Sequence, residues 1–115
     1  MLPADNRLRK TKEIERVWKG GRSFFTPMMQ IKGVRNGLPV SRFTVVVGTK
    51  AEKSAVKRNT WRRRVRDILR SNLAAIAPGF DIVVYAKKDG ISADFKDIEK
   101  TLTEALKSAG VLTKR

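Results

Sequence analysis

The hydrophobic positions of this chain change period several times, and each change marks an element. Over residues 11–20, Ile14, Val17 and Trp18 recur at i, i+3 and i+4. That spacing predicts a short helix with one apolar face, Thr11 as its N-cap and Gly20-Gly21 as its stop. Residues 24–34 read as one strand with a defect at Pro27, which lacks an N–H and belongs at an edge or a bulge. Beyond it Met29 and Ile31 make the better core face, while Met28, Gln30 and Lys32 suit a wet groove. Asn36-Gly37 marks a hairpin-type turn. Residues 42–49 follow as a strand, with Phe43, Val45 and Val47 on one face and Thr44 and Val46 on the other. Apolar residues on both faces predict a central position in the sheet. Residues 80–87, FDIVVYAK, share that character, and Lys88-Asp89-Gly90 then makes a turn. Ser92 caps a last helix to Ala109 with the stripe Phe95, Ile98, Leu102, Ala105, Leu106 and Ala109, Gly110 takes the C′ position, and residues 111–115 form a short tail.

The longest periodic segment covers residues 54–77, with Ser54 as N-cap and Pro78-Gly79 as its stop. Trp61, Val65, Ile68, Leu69, Asn72 and Ile76 fall in one helical stripe, and Asn59, Arg62, Arg63, Arg66 and Arg70 fall in the stripe beside it. One face can be buried while its neighbour is a row of guanidinium forks. Between Lys50 and Arg70 nine Lys or Arg stand against Glu52 and Asp67, a net +7 in 21 residues. A merely solvated face normally mixes signs, and like charges at helix spacing cost tenths of a kcal/mol per pair. An anionic partner offsets that cost, and Arg forks match phosphate oxygens. Trp18 has two readings, core packing or a platform on which a base stacks.

The element order α-β-β-α-β-α predicts a two-layer α+β domain, a central mixed sheet with helices packed on it. The β-α-β segment over residues 42–87 joins parallel strands, for which generic physics favours a right-handed crossover.

A length of 115 residues fits a single domain, residues 1–115, with residues 1–10 a basic arm carrying Arg7, Arg9 and Lys10. These residues read as a disordered tail or a backbone clamp, and such an arm is more often disordered alone and ordered on its ligand. The formal charge is +15 and the pI about 11.0, which points to a polyanionic partner. The excess sits in the arm and the Arg helix, because the last helix sets three Lys against four carboxylates. No apolar run approaches the ~18 residues of a membrane span, and the start has no apolar signal core. With no Cys, a cytoplasmic location is expected. The absence of His excludes Ser-His-Asp and Cys-His catalysis and a His/Cys zinc site. Asp81 and Asp89, bracketing a strand, are the one carboxylate pair off a helix surface and a weak basis for a metal site.

Ala55-Val56-Lys57-Arg58-Asn59, Arg62-Arg63 and Arg66-Asp67 resemble the signature of the bacterial ribonuclease P protein component. That family's helix reads Arg-Asn-Arg, then a Lys/Arg-Arg pair and an Arg-acid pair at this spacing. Thr60 stands where the family usually has the second Arg, which removes one possible RNA contact. Asn6-Arg7-Leu8-Arg9-Lys10, Val17-Trp18-Lys19-Gly20-Gly21-Arg22 and Asp81-Ile82-Val83-Val84-Tyr85-Ala86-Lys87-Lys88 resemble the family in the same order, so the likeness covers nearly the whole chain. The resemblance implies the protein subunit of a ribonucleoprotein endonuclease that removes the 5′ leader from precursor tRNA. It implies one protein per catalytic RNA, Mg²⁺ held mainly by that RNA, a left-handed crossover and a fourth, short strand. By matching position, Lys57, Arg58, Asn59, Arg62, Arg63, Arg66 and Arg70 would dock the catalytic RNA. Ile14, Trp18, Gln30 and Lys32, with Phe24 and Phe25 as weaker candidates, would line the leader groove. The competing readings are a structural RNA-binding protein of the ribosomal type, a DNA-binding protein with the Arg helix in a major groove, and a self-sufficient nuclease, which the missing His disfavours.

Overall fold

Pro27 does not interrupt a strand; it turns one strand into two. The computed structural model, which describes residues 2–112, places β1 at Arg22–Phe25 and β2 at Met29–Arg35 as an antiparallel hairpin. Thr26 closes the turn: its N–H donates to Met29 O at 2.9 Å, and its hydroxyl oxygen accepts from Met29 N at 2.9 Å. Pro27 sits inside that loop, where no ladder bond is lost. β1 is the short extra strand of the expected fold.

The sheet order is β1-β2-β4-β3, with β4 (Phe80–Ala86) antiparallel to β2 and parallel to β3 (Arg42–Val46). β3 is therefore an edge and β4 the centre, which corrects the central position expected for β3. The Asn36-Gly37 turn makes no hairpin, because β4 lies between the strands it links. Gly37 does adopt φ 70°, and Asn36 Oδ1 accepts from Leu38 N at 2.7 Å. The exposed edge of β3 is covered by the N-terminal arm: Leu8 N donates to Phe43 O at 2.8 Å, and Leu2 and Leu8 are buried. Expected to be disordered alone, the arm is pinned to the sheet by apolar anchors.

On one face of the sheet Met29, Ile31, Phe43, Val45, Ile82 and Val84 meet two helices, α2 (Ala55–Ser71) and α4 (Phe95–Ser108). Trp61, Val65, Ile68 and Leu69 of α2 are buried as the periodicity requires, each side chain contributing ~1.5–3 kcal/mol. Ser54 caps α2, its hydroxyl accepting from Lys57 N at 3.3 Å. The helix stops at Ser71, short of Pro78, because Asn72 Nδ2 donates back to Ile68 O at 2.8 Å and a 3-10 turn follows over Leu73–Ala75. Ile76 thus leaves the stripe and bridges to Leu112; Val111 and Leu112 are buried, and residues 113–115 of the expected tail lie outside the described residues. Residues 88–90 begin a short helix, α3 (Lys88–Ile91), rather than a turn, and Gly90 O accepts from Trp61 Nε1 at 3.0 Å. Asp94, not Ser92, precedes α4, and Lys10, not Thr11, precedes α1 (Thr11–Gly20); neither side chain makes a capping bond.

α1 crosses the other face of the sheet over a small cluster of Leu8, Val17 and Val83. It is fastened by a buried carboxylate. Asp81 of β4 has no exposed surface and accepts from Arg42 Nε at 2.8 Å, Arg42 NH2 at 2.6 Å, Asn36 Nδ2 at 2.8 Å and Arg16 NH2 at 3.0 Å. Arg42 in turn donates to both oxygens of Glu13, at 3.2 and 3.1 Å. Burial alone would push the Asp81 carboxyl up; the bonds from Arg42, Asn36 and Arg16 and the Arg42 charge outweigh it and hold the group below its ordinary value of 3.8. The same pairing with Asp81 holds Arg42 above its ordinary value, against the opposing pull of burial.

Asp81→Asn removes the carboxylate that Arg42 and Arg16 share, leaving Arg42 with Glu13 alone, and should cost up to ~3–5 kcal/mol at neutral pH. Because the folded carboxyl is the stronger acid, its contribution is complete above 3.8 and is lost as pH falls through the lower folded value. Urea unfolding should therefore show the gap between wild type and Asp81→Asn narrowing as pH is taken below 3.8.

Candidate nucleic-acid interface

Two surfaces carry the charge and the rings. The first is built on α2. Its stripe of Arg62, Arg63, Arg66 and Arg70 runs along the flank of the buried apolar face, with Arg63, Arg66 and Arg70 exposed. Arg62 NH2 donates to Asn59 Oδ1, so Asn59 holds the fork of its neighbour. The pinned arm brings Arg7 and Arg9 to the same place. Together with Arg66, Ile14 and Thr44 they line a cleft of about 370 Å³ that has, among the described residues, three arginines and no carboxylate in its lining. Arg7 Nε donates to Leu2 O at 2.7 Å, which fixes its guanidinium. Arg66 is held below its ordinary value, first by partial burial and then by the charges of Arg62 and Arg7. It remains a cation at any physiological pH, so the cleft is a site of unrelieved positive potential suited to an anion. The arm's arginines carry no helical period that could align them with α2, so only the long-range pairing of Leu8 with Phe43 reveals the cleft.

Not every predicted docking residue joins this ridge. Arg58 NH1 donates to the carbonyls of Glu52 at 2.9 Å and Lys53 at 2.8 Å, holding the loop before α2. Lys57 lies on the opposite flank, in a separate cleft with Thr60, Arg64 and Lys88. Thr60, at the position of the missing Arg, donates its hydroxyl to Val56 O at 2.9 Å.

The second surface is the α1 face of the sheet. Cross-strand register sets Phe25, Gln30, Tyr85 and Val46 in one row, and Ser23, Lys32, Val83 and Thr44 in the next. α1 lies over the second row and leaves the first open at its C-terminal end. There Trp18 is 41 % exposed, its ring centroid 4.5 Å from that of Tyr85 and tilted by 40°. Lys32 Nζ stands 4.3 Å from the Trp18 centroid and donates to Trp18 O. At the far end Lys87 Nζ lies 5.3 Å from the Phe25 centroid, and Phe25 is 67 % exposed. Cations over aromatic faces make a trough suited to stacking bases and neutralising phosphates. Trp18, Gln30, Lys32 and Phe25 thus share this face, whereas Ile14 lines the arginine cleft. Phe24 does not belong here: it pairs with Ile31 and packs against the main core on the opposite face. Tyr85 was missed as a site residue, although the alternation of FDIVVYAK already sets it on the face of Asp81 and Val83.

The family model described as Ribonuclease P matches residues 2–110. The chain belongs to the ribonuclease P protein family. The ribonuclease P protein component of Clostridium botulinum strain 657 is 33% identical over 108 residues, covering 93% of this chain and 96% of that protein. That of Roseiflexus sp. strain RS-1 is 35% identical over 107 residues, covering 92% and 87%. The solved Staphylococcus aureus RNase P protein superposes with a TM-score of 0.86 at 25% identity, covering 94% of this chain and 98% of that one. The RNase P protein of Thermotoga maritima gives 0.81 at 33% identity, covering 89% and 96%. Membership makes the chain a ribonuclease P protein subunit in tRNA processing, with an RNA partner in its ribonucleoprotein. Among the described residues no helix is long and apolar enough to cross a membrane.

Of the two tryptophans, Trp61 is 1 % exposed and Trp18 41 %. Iodide, drawn to this basic surface, should quench the Trp18 emission strongly and leave Trp61 almost untouched. Stern–Volmer plots should show that Trp18→Phe removes the iodide-sensitive component.

Proposed function

We propose that the chain docks the catalytic RNA of ribonuclease P through the α2 arginine ridge and the arm, and holds the single-stranded 5′ leader of precursor tRNA in the trough under Trp18. The observation that carries this reading is Trp18 itself, which is 41 % exposed although it touches Tyr85 and Lys32, and so offers ring surface to a base. Arg62, Arg63, Arg66 and Arg70, extended by Arg7 and Arg9, neutralise phosphates of one RNA, and Asn59 orients Arg62. Lys32 and Lys87 neutralise the leader backbone while Trp18, Tyr85 and Phe25 offer stacking faces. Gln30 lies among them as a polar contact. Such a trough reads little sequence, which suits leaders of differing sequence.

The hydrolytic chemistry then belongs to the RNA. Among the described residues the one buried carboxylate, Asp81, is fully engaged by Arg42, Asn36 and Arg16. In this reading Mg²⁺ is held by RNA phosphates, one protein serves one RNA, and the protein contributes charge neutralisation and position.

Affinity for the catalytic RNA should fall steeply with salt, by ~0.7–0.9 log units per phosphate per log unit of salt. Arg63→Ala and Arg66→Ala should each flatten that slope by roughly one contact. A salt-independent affinity in filter binding would remove the ridge as the docking surface.

The leader assignment is tested by Trp18→Ala in the reconstituted holoenzyme with two ligands, precursor tRNA and mature tRNA. Loss of a stacking platform should weaken precursor binding by ~1–3 kcal/mol and leave mature tRNA little changed. Equal weakening of both would show that Trp18 acts through the fold instead.

A further inference from the structure

On the helix side of the sheet, the strands overrun the end of α4. α4 stops at Ser108, and the chain that follows, Ala109, Gly110 at φ 76° and Val111, closes one side of the space beyond it. Beyond that point a cleft of about 260 Å³ remains, walled by the rings of Phe24 and Phe80. Its floor has a gap between Arg22 and Ile82, because the residue between them in the cross-strand row is Gly33. Positions on this face elsewhere carry core side chains, yet here two exposed arginines lie over the rings. Arg22 Cζ is 5.7 Å from the Phe24 centroid, and Arg35 Cζ is 5.2 Å from the Phe80 centroid. Among the described residues no carboxylate lines the cleft.

We propose that this cleft takes a single unpaired nucleotide of an RNA strand, its base between the two rings and its phosphate on Arg22 or Arg35. The walls offer flat apolar faces and the rim offers guanidinium planes, which stack on bases and bind phosphate oxygens. The volume lies below that of drug-sized pockets, roughly 300–1,000 Å³, and so suits one base rather than several. Charge complementarity selects an anionic ligand. The cleft opens on the face of the sheet opposite Trp18, so it is independent of the leader trough and requires only an RNA partner.

The test is photo-crosslinking of the full chain to a single-stranded RNA carrying 5-iodouridine, with adducts located by peptide fragmentation. Adducts are expected on Phe24 or Phe80, in addition to any on Trp18, Tyr85 or Phe25. Arg22→Ala/Arg35→Ala should reduce the Phe24 and Phe80 adducts about tenfold and leave those of the trough unchanged. Trp18→Ala should do the reverse. Gly33→Ala, which sets a Cβ 3.3 Å from Ile82 Cγ1 and fills the floor, gives a second route to the same loss without touching the charge. Absence of adducts on both Phe24 and Phe80, their survival in both the arginine and the glycine variants, or their disappearance in Trp18→Ala overturns the proposal. None of these outcomes bears on whether Trp18 holds the leader.

Discussion

The buried carboxylate of Asp81 is the constraint on which the arrangement depends. An isolated charge there would carry a desolvation cost of several kcal/mol, so the fold must bring donors to it from elsewhere. They come from Asn36 after β2, Arg42 of β3 and Arg16 of α1. Satisfying one side chain therefore fixes three elements relative to β4. Glu13 completes the lock by taking the free side of Arg42. With α1 clamped at Glu13 and Arg16, its last turn has one place to go, and Trp18 comes to rest on Tyr85 at the open end of the sheet. The ion network and the Val17 contact beneath α1 together set where the exposed ring lies.

The two surfaces also divide the labour of charge. The arginine ridge rests on a helix whose other stripe is anchored in the main core, so the guanidinium groups sit on a rigid base. The arm covers the β3 edge and in doing so adds Arg7 and Arg9 beside Arg66. Two apolar anchors, Leu2 in the main core and Leu8 in the cluster under α1, both protect the sheet and concentrate positive potential.

Local features were legible in the sequence. The stripes of α2 and α4 follow from helical period, the Ser54 cap from its side chain, and the alternation of β2 and β4 from strand period. The ridge of Arg62, Arg63, Arg66 and Arg70 follows from the same arithmetic. What was not legible depends on partners distant in the chain. β3 looked central because its two apolar faces are buried by different layers, which periodicity cannot distinguish from flanking strands. Phe24 and Phe25 are chemically alike neighbours, and only the register set by the Thr26 turn sends one to the core and the other to the trough. Asp81 offered no sign of its partners, the nearest of which lies 39 residues away. Arg58 and Thr60 turned inward for reasons of local geometry that a motif does not display.

The strand order has a consequence in time. β4, which lies between β2 and β3 in the sheet, is made after them and after the arginine helix. Until residue 86 has left the ribosome, β3 has no neighbour on its inner edge, and Arg42 waits without Asp81. The β1–β2 hairpin and α2 can form early, being local, but the layers cannot close on them. Vectorial synthesis thus presents the most basic part of the chain to the cell before the sheet that will carry it can be completed.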